Sequence, residues 1–207
     1  MLLPRSSRDE LQRELGAAWR EQGAARLEPA FPEARAVELL RALRGSEHLA
    51  GQRVDPETGL QLWRVGWEPG NDCVDHPLCE LGRWLSGEGA AWVTALTGRA
   101  LMVSPDPMLI SDKACKAAFA DPWDDAAPGR AVAFRVHLHP ATWPVAWGGH
   151  LERLEGPDGP VVDRWAPAWN ALDLFDLALG RPTWRRLPMI DRHVEGYVIS
   201  GFLNALG

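Results

Sequence analysis

The chain has 207 residues, 46% hydrophobic and 24% charged, with 28 acidic against 22 basic side chains and a formal net charge of −6. This suits one globular unit with a full core, excludes a disordered chain, and argues against nucleic acid, where affinity rests on Lys and Arg neutralising phosphates. No stretch reaches the roughly 20 consecutive apolar residues of a membrane span, and the start, Met1 to Arg5, lacks the apolar segment of a signal peptide.

Asp9 is placed to cap a first helix carrying Leu11, Leu15, Ala18 and Trp19 on one face, with Gly23 as its stop. Ala25 to Phe31 reads as a short strand. Pro32 at a first helical position, then Val37, Leu40 and Leu43 at helical spacing and Gly45 beyond, define a second helix. Leu60 to Trp67 reads as a strand. Two short helices follow, Pro77–Leu85 and Ala90–Leu96, ended by Gly87 and Gly98. After Pro105 the texture changes to short runs between Pro, Gly and Asp: Met108–Ile110, Arg130–Leu138, His150–Leu154, Val161–Arg164, Ala171–Leu177, Trp184–Met189 and Tyr197–Leu203. Gly156 to Gly159, read Gly-Pro-Asp-Gly, is a turn. Close-set short strands predict a β-sandwich or barrel. The whole chain, 1–207, is expected to be a single α+β domain, with a mainly helical support region over 1–100 and a β core over 101–207.

Three cysteines at spacings of no disulfide framework point to a reduced, cytoplasmic setting. Cys73, His76 and Cys79 form a C-x2-H-x2-C cluster, but a closed zinc site needs four ligands and no second cluster lies nearby. The 11 tryptophans, against 5 Phe and 1 Tyr, are the unusual entry in the composition. Tryptophan brings a large apolar ring with one N–H that needs a partner when buried, which suits cores, interfaces and ligand walls.

The run from Gly129 and Arg130 through His137, Leu138, His139 and Pro140, then Trp143 and the Trp147-Gly148-Gly149-His150-Leu151 segment, resembles the prolyl-4-hydroxylase-like branch of the Fe(II)/2-oxoglutarate-dependent oxygenases. Leu96-Thr97-Gly98, Pro167 to Asn170 before Leu172 to Phe175, and Ile199 to Phe202 agree in order. The resemblance covers roughly residues 90–203 and implies the family's double-stranded β-helix, a jelly-roll sandwich. It also implies a chemistry: two His and one carboxylate on one face of Fe(II), with an Arg or Lys for the cosubstrate's far carboxylate.

The sequence departs from that pattern. Trp123-Asp124-Asp125 stands where the resemblance expects His-x-Asp, Trp184 where it expects the second His, and Gly196 where it expects the cosubstrate arginine. A slip of alignment would bring Arg192 or His193 to the last position. Only Asp125 would remain of the metal triad, and an indole N–H has no lone pair for iron. The three positions Trp123, Asp125 and Trp184 therefore read as vestigial.

Strand alternation places Val132, Phe134, Val136 and Leu138 on one face of the Arg130 strand and Ala133, Arg135, His137 and His139 on the other. By the resemblance the second set points between the sheets, His137 taking the place of a cosubstrate-contacting tyrosine, with Leu151 and Arg153 facing it from the next strand. Three occupancies are open. Asp125 pairs with Arg135 or Arg153 while the indoles fill the vacated space; or the arginines and His137 hold a small carboxylate or phosphate; or Asp125, His137 and His139 make a rearranged metal site.

No nucleophile elbow, phosphate-binding glycine loop or H-E-x-x-H is present. The resemblance with its departures implies an oxygenase-like pseudoenzyme, lacking iron and 2-oxoglutarate, that acts by binding as an auxiliary partner of an active enzyme or as a homo-oligomer. The alternatives are an active Fe(II)/2-oxoglutarate-dependent hydroxylase with an altered site, and a small-anion binding protein.

Overall fold

The computed structural model describes residues 5–45, 52–54, 61–65, 77–104, 108–112, 127–139, 142–156, 158–179, 184–187 and 197–206. In chain order these form α1 (Arg5–Gln22), β1 (Ala24–Leu27), α2 (Glu33–Gly45), β2 (Gln52–Val54), β3 (Gln61–Val65), α3 (Pro77–Trp84), α4 (Ala90–Thr97), β4 (Leu101–Val103), β5 (Met108–Asp112), β6 (Arg130–Leu138), β7 (Leu151–Leu154), β8 (Val161–Trp165), β9 (Trp169–Asp176), β10 (Trp184–Arg186) and β11 (Tyr197–Ala205). The strands make two sheets. The larger has the order β1-β9-β6-β11-β5-β3-β2, with β4 also paired to β11, and the smaller has the order β10-β7-β8. Every pairing is antiparallel. The expected α+β jelly roll is what the strand order describes.

The helices cover one face of the large sheet. Leu15 and Trp19 of α1, Leu39, Leu40 and Leu43 of α2, Leu78 and Leu81 of α3, and Val93 and Leu96 of α4 share one core with Val132, Phe134, Val136 and Leu138 of β6. On the other side Ala24, Ala133, Leu151, Phe175, Leu177 and Trp184 form a second cluster, with Trp165 and Phe202 packed against it. That cluster fills the space between the two sheets. The period-2 alternation of β6 is what allows one strand to serve both cores.

Several elements differ from the sequence reading. α1 begins at Arg5, one turn ahead of Asp9. The two short helices are one helical run, because a π-helical turn over Leu85–Gly89 joins α3 to α4 and Gly87 does not stop it. Its cause is local: a Cβ on Gly89 would lie 2.8 Å from the Trp84 ring, so glycine there lets the indole lie against the backbone. The strand at Ala25–Phe31 is shorter, ending at Leu27 before Pro29, which has no N–H for a ladder. Cys79 is disulfide-bonded, which overturns the expectation of free thiols and removes the cysteine count as an argument for a reducing compartment. Among the described residues no helix is long and apolar enough to cross a membrane.

The loop between β1 and α2 is anchored by one residue. Asn170 has φ 57°, a left-handed conformation that asparagine tolerates better than other side chains. Its side chain accepts from Phe31 N (2.9 Å) and donates to Phe31 O (2.7 Å), while its own carbonyl accepts from Ala30 N (2.7 Å). Asn170→Ala removes both side-chain bonds in a buried place, and the expected loss is about 2–4 kcal/mol, read as a lowered urea midpoint. Asn170→Asp, which keeps the acceptor for Phe31 N, should recover part of it.

Candidate functional site between the sheets

Register builds the inner face of the large sheet in rows. Arg26 of β1 lies opposite Asp173 of β9, Asp173 opposite Arg135 of β6, and Arg135 opposite Ser200 of β11. The neighbouring row is apolar: Ala24, Phe175, Ala133 and Phe202. The interior is thus polar at one level and aromatic at the next.

The polar level centres on Asp173, 1% exposed. Arg26 donates from Nε to Oδ1 (2.6 Å) and from Nη2 to Oδ2 (2.8 Å). His137 Nε2 lies 2.9 Å from the same Oδ2, and since a carboxylate only accepts, Nε2 is the protonated nitrogen. Arg26 also donates from Nη1 to Ala166 O (2.8 Å), and its guanidinium stands 5.0 Å from the centre of the Trp165 ring. Burial pushes the Asp173 carboxyl up, but the charge of Arg26 and the hydrogen bonds from Arg26 and His137 hold it well below the usual carboxylate range. Burial lowers His137 despite the pull of Asp173, with Arg26 and Arg135 pushing the same way as burial. The resulting state is an ionised Asp173 between a guanidinium and a neutral imidazole.

His139, two residues along β6, is buried with its ring 5.9 Å from His137 and edge-on to Trp143 at 5.1 Å. Burial and the neighbouring His137 push its pKa down to about 3. Trp143 donates from its ring to Gly148 O (2.8 Å) and meets Trp147 edge-on at 5.4 Å. Gly148 and Gly149 both have positive φ, 70° and 74°, which explains the glycine pair. Gly149 N then donates to Leu187 O (3.0 Å).

The aromatic level is closed. Trp184, 4% exposed, donates its ring N–H to Gln22 O (3.2 Å) and packs on Trp165 with ring centroids 4.6 Å apart. Trp165 in turn meets Phe175 at 6.2 Å, and Arg135 lies over the other region of Phe175, its Cζ 5.6 Å from the ring centre. Burying one such indole is worth roughly 4–6 kcal/mol of apolar transfer.

The sequence-derived residues fall into three groups. Leu151 and Trp184 meet in the aromatic cluster, and Arg135 and His137 lie on the polar row. Arg153, opposite Trp184 in register, does not join the polar row: it approaches Glu21 of α1 at 3.8 Å, and its Nε is buried without a hydrogen-bond partner among the described residues. Trp123, Asp125, Arg192, His193 and Gly196 lie outside the described residues, as does the expected pairing of Asp125. His150 is buried, its Nδ1 2.9 Å from Gly148 O. Sequence reasoning missed Asp173, Arg26 and Trp165. Asp173 had a signal, since it is the one charge in the apolar run Ala171 to Phe175 and shares its parity with Phe175.

Neither a protein-family model nor a curated protein matches the chain. Solved structures do. A 2OG-Fe(II) oxygenase family oxidoreductase from Burkholderia pseudomallei matches at TM-score 0.61 and 15% identity, over 93% of this chain and 90% of that one. A prolyl hydroxylase from Trichoplax adhaerens, solved with a hypoxia inducible factor oxygen degradation domain peptide, matches at 0.63 and 14%, over 96% and 91%. A Pseudomonas putida prolyl-4-hydroxylase matches at 0.60 and 15%, over 95% and 100%. The fold is that of these oxygenases.

Iron of the kind this fold family uses needs free imidazole and carboxylate lone pairs converging on one point. The described residues do not fit. No group of three or more His, Cys, Asp or Glu among them could hold a metal. Asp173 has both oxygens committed to Arg26, whose charge repels a cation, and His137 Nε2 is committed to Asp173.

Two outcomes follow for stability. Histidines with lowered folded pKa take up protons on unfolding, so their contribution is full above the unfolded value near 6.5 and is lost as pH falls below it. Each adds a slope of up to about 1.4 kcal/mol per pH unit, and Asp173 adds a further loss at more acidic pH because its carboxylate must then be protonated. The urea midpoint should fall steadily from pH 7 to 5, and His139→Asn should flatten the curve. Arg26→Met strands the buried carboxylate and should cost about 3–5 kcal/mol, with Asp173→Asn in the same chain recovering part of it.

Proposed function

We propose that this protein uses the oxygenase jelly roll without the iron and 2-oxoglutarate reaction, and works by binding, as an auxiliary partner of an active enzyme. One observation carries the reading. Trp184, which the sequence resemblance aligns with the family's second iron-binding histidine, is a buried packing residue with its ring N–H spent on Gln22 O and its face on Trp165. An indole there offers no lone pair, and it packs with Trp165 and Phe175 between the sheets. The sequence places a second indole, Trp123, at the other histidine position, and Gly196 at the arginine position.

Anaerobic titration with Fe(II) and 2-oxoglutarate tests this. The expected result is no metal-to-ligand charge-transfer band and no succinate after O₂ is admitted; a band with succinate formation overturns the proposal. A gain-of-function variant tests the residue assignment separately. Trp123→His with Trp184→His should create, with Asp125, a Co(II) site visible by its d–d absorption, absent from the wild-type chain. If the double variant folds and binds no Co(II), these are not the ligand positions.

A further inference from the structure

We infer that the outer face of the small sheet is a docking surface for an acidic peptide segment of a protein partner, built on the cross-strand row Arg164–Glu152–Arg185. This rests on the reading of the protein as a binding partner and names the chemistry it recognises. Register puts Arg164 of β8 and Arg185 of β10 directly on either side of Glu152, on the central strand β7. The parity of that row is opposite to Leu151, Trp165 and Trp184, which fill the interior, so the row faces away from the large sheet.

Glu152 is 2% exposed and holds both arginines. Arg164 donates to its Oε1 from Nε (2.9 Å) and Nη2 (2.5 Å). Arg185 donates to Oε2 from Nε (3.2 Å) and Nη2 (2.6 Å). Each guanidinium has five N–H donors, so the contacts with Glu152 leave the remaining edge of each head for another acceptor. Those heads are 39% and 55% exposed. One carboxylate balances one of the two cations, leaving a local positive charge on a chain of net charge −6.

The arrangement removes the main obstacle to recognition by arginine, which is ordering a long side chain. Glu152 has fixed both heads in advance, and planar bidentate pairing with carboxylate is the geometry arginine offers. Val162, two residues before Arg164 on β8 and 47% exposed, supplies an apolar neighbour on the same face. Of the hairpin's other acidic residues, Glu155 and Asp158 lie in its turn, and Asp163 is on β8 one residue before Arg164, with the opposite parity. Docking runs through the face and not the strand edge, because Asp163 Oδ1 already accepts from Arg164 N at 2.7 Å and blunts that edge.

The probe is a fluorophore-labelled hexaglutamate peptide, titrated against the full chain by anisotropy at low salt. Saturable binding is expected, weakened at least fivefold by Arg185→Gln and abolished by high salt. Val162→Glu leaves the ion row intact and should weaken binding comparably, which covers the case in which an arginine variant unfolds. Arg35→Gln, on α2 and already paired with Glu38 and Glu80, should leave binding unchanged. Absent binding, or equal losses in Arg35→Gln, overturns the inference, and inorganic phosphate displacing the peptide at equal concentration replaces it with a small-oxyanion site. Succinate formation in the iron titration would end the parent reading and leave this surface standing; a failed peptide titration does the reverse.

Discussion

A carboxylate sealed between two sheets must have its charge answered on both oxygens, and the answer for Asp173 comes from the two strands that flank β9, β1 and β6. Arg26 arrives from the first strand, 147 positions earlier, and His137 from the middle of the large sheet. The pair is not a large source of net stability, since desolvating two charges offsets most of their attraction. Its effect is on specificity. Slipping β1 or β9 by one residue would turn Arg26 or Asp173 toward the helices and leave the other charge alone in the interior. The strand that follows α1 is therefore held in one register by an electrostatic condition, and the helical lead-in is tied to the sandwich through it.

That condition also divides the interior. On one side of the Arg26–Asp173–Arg135 row lies the aromatic packing of Trp165, Phe175 and Trp184; on the other lie His137, His139 and the Trp143–Trp147 pair. Removing water from this space strengthens every charge interaction within it. The same desolvation keeps both histidines neutral, so the network has one ionised carboxylate with its donors already assigned. A catalytic pocket needs groups left poised toward an absent substrate. Here Arg26 and His137 are both turned on Asp173.

Much of the fold was legible because its signals are local. The alternation of β6, the Gly148–Gly149 pair and the amphipathic face of α1 each depend on residues close in sequence. Trp184 could be singled out from order and spacing alone. What escaped was long-range or sterically fine. Nothing near Ala24 to Leu27 announces that Arg26 will meet Asp173, because that contact exists only once β1 has joined the sheet edge beside β9. The π-helical turn depends on the Trp84 ring resting on Gly89, while Gly87 within it reads as a stop.

Asp173 and Glu152, two of the buried carboxylates, make a useful contrast. Asp173 faces inward, and Arg26, which it holds, has a third hydrogen bond to Ala166 O and a ring beside it, so its donors are consumed within the fold. Glu152 faces outward, and the two guanidiniums it holds keep their far edges in solvent. The chemistry of the two rows is nearly the same, yet only one leaves anything for a partner to touch. Of the described arginines held by a buried carboxylate, the two on the small sheet are the most exposed.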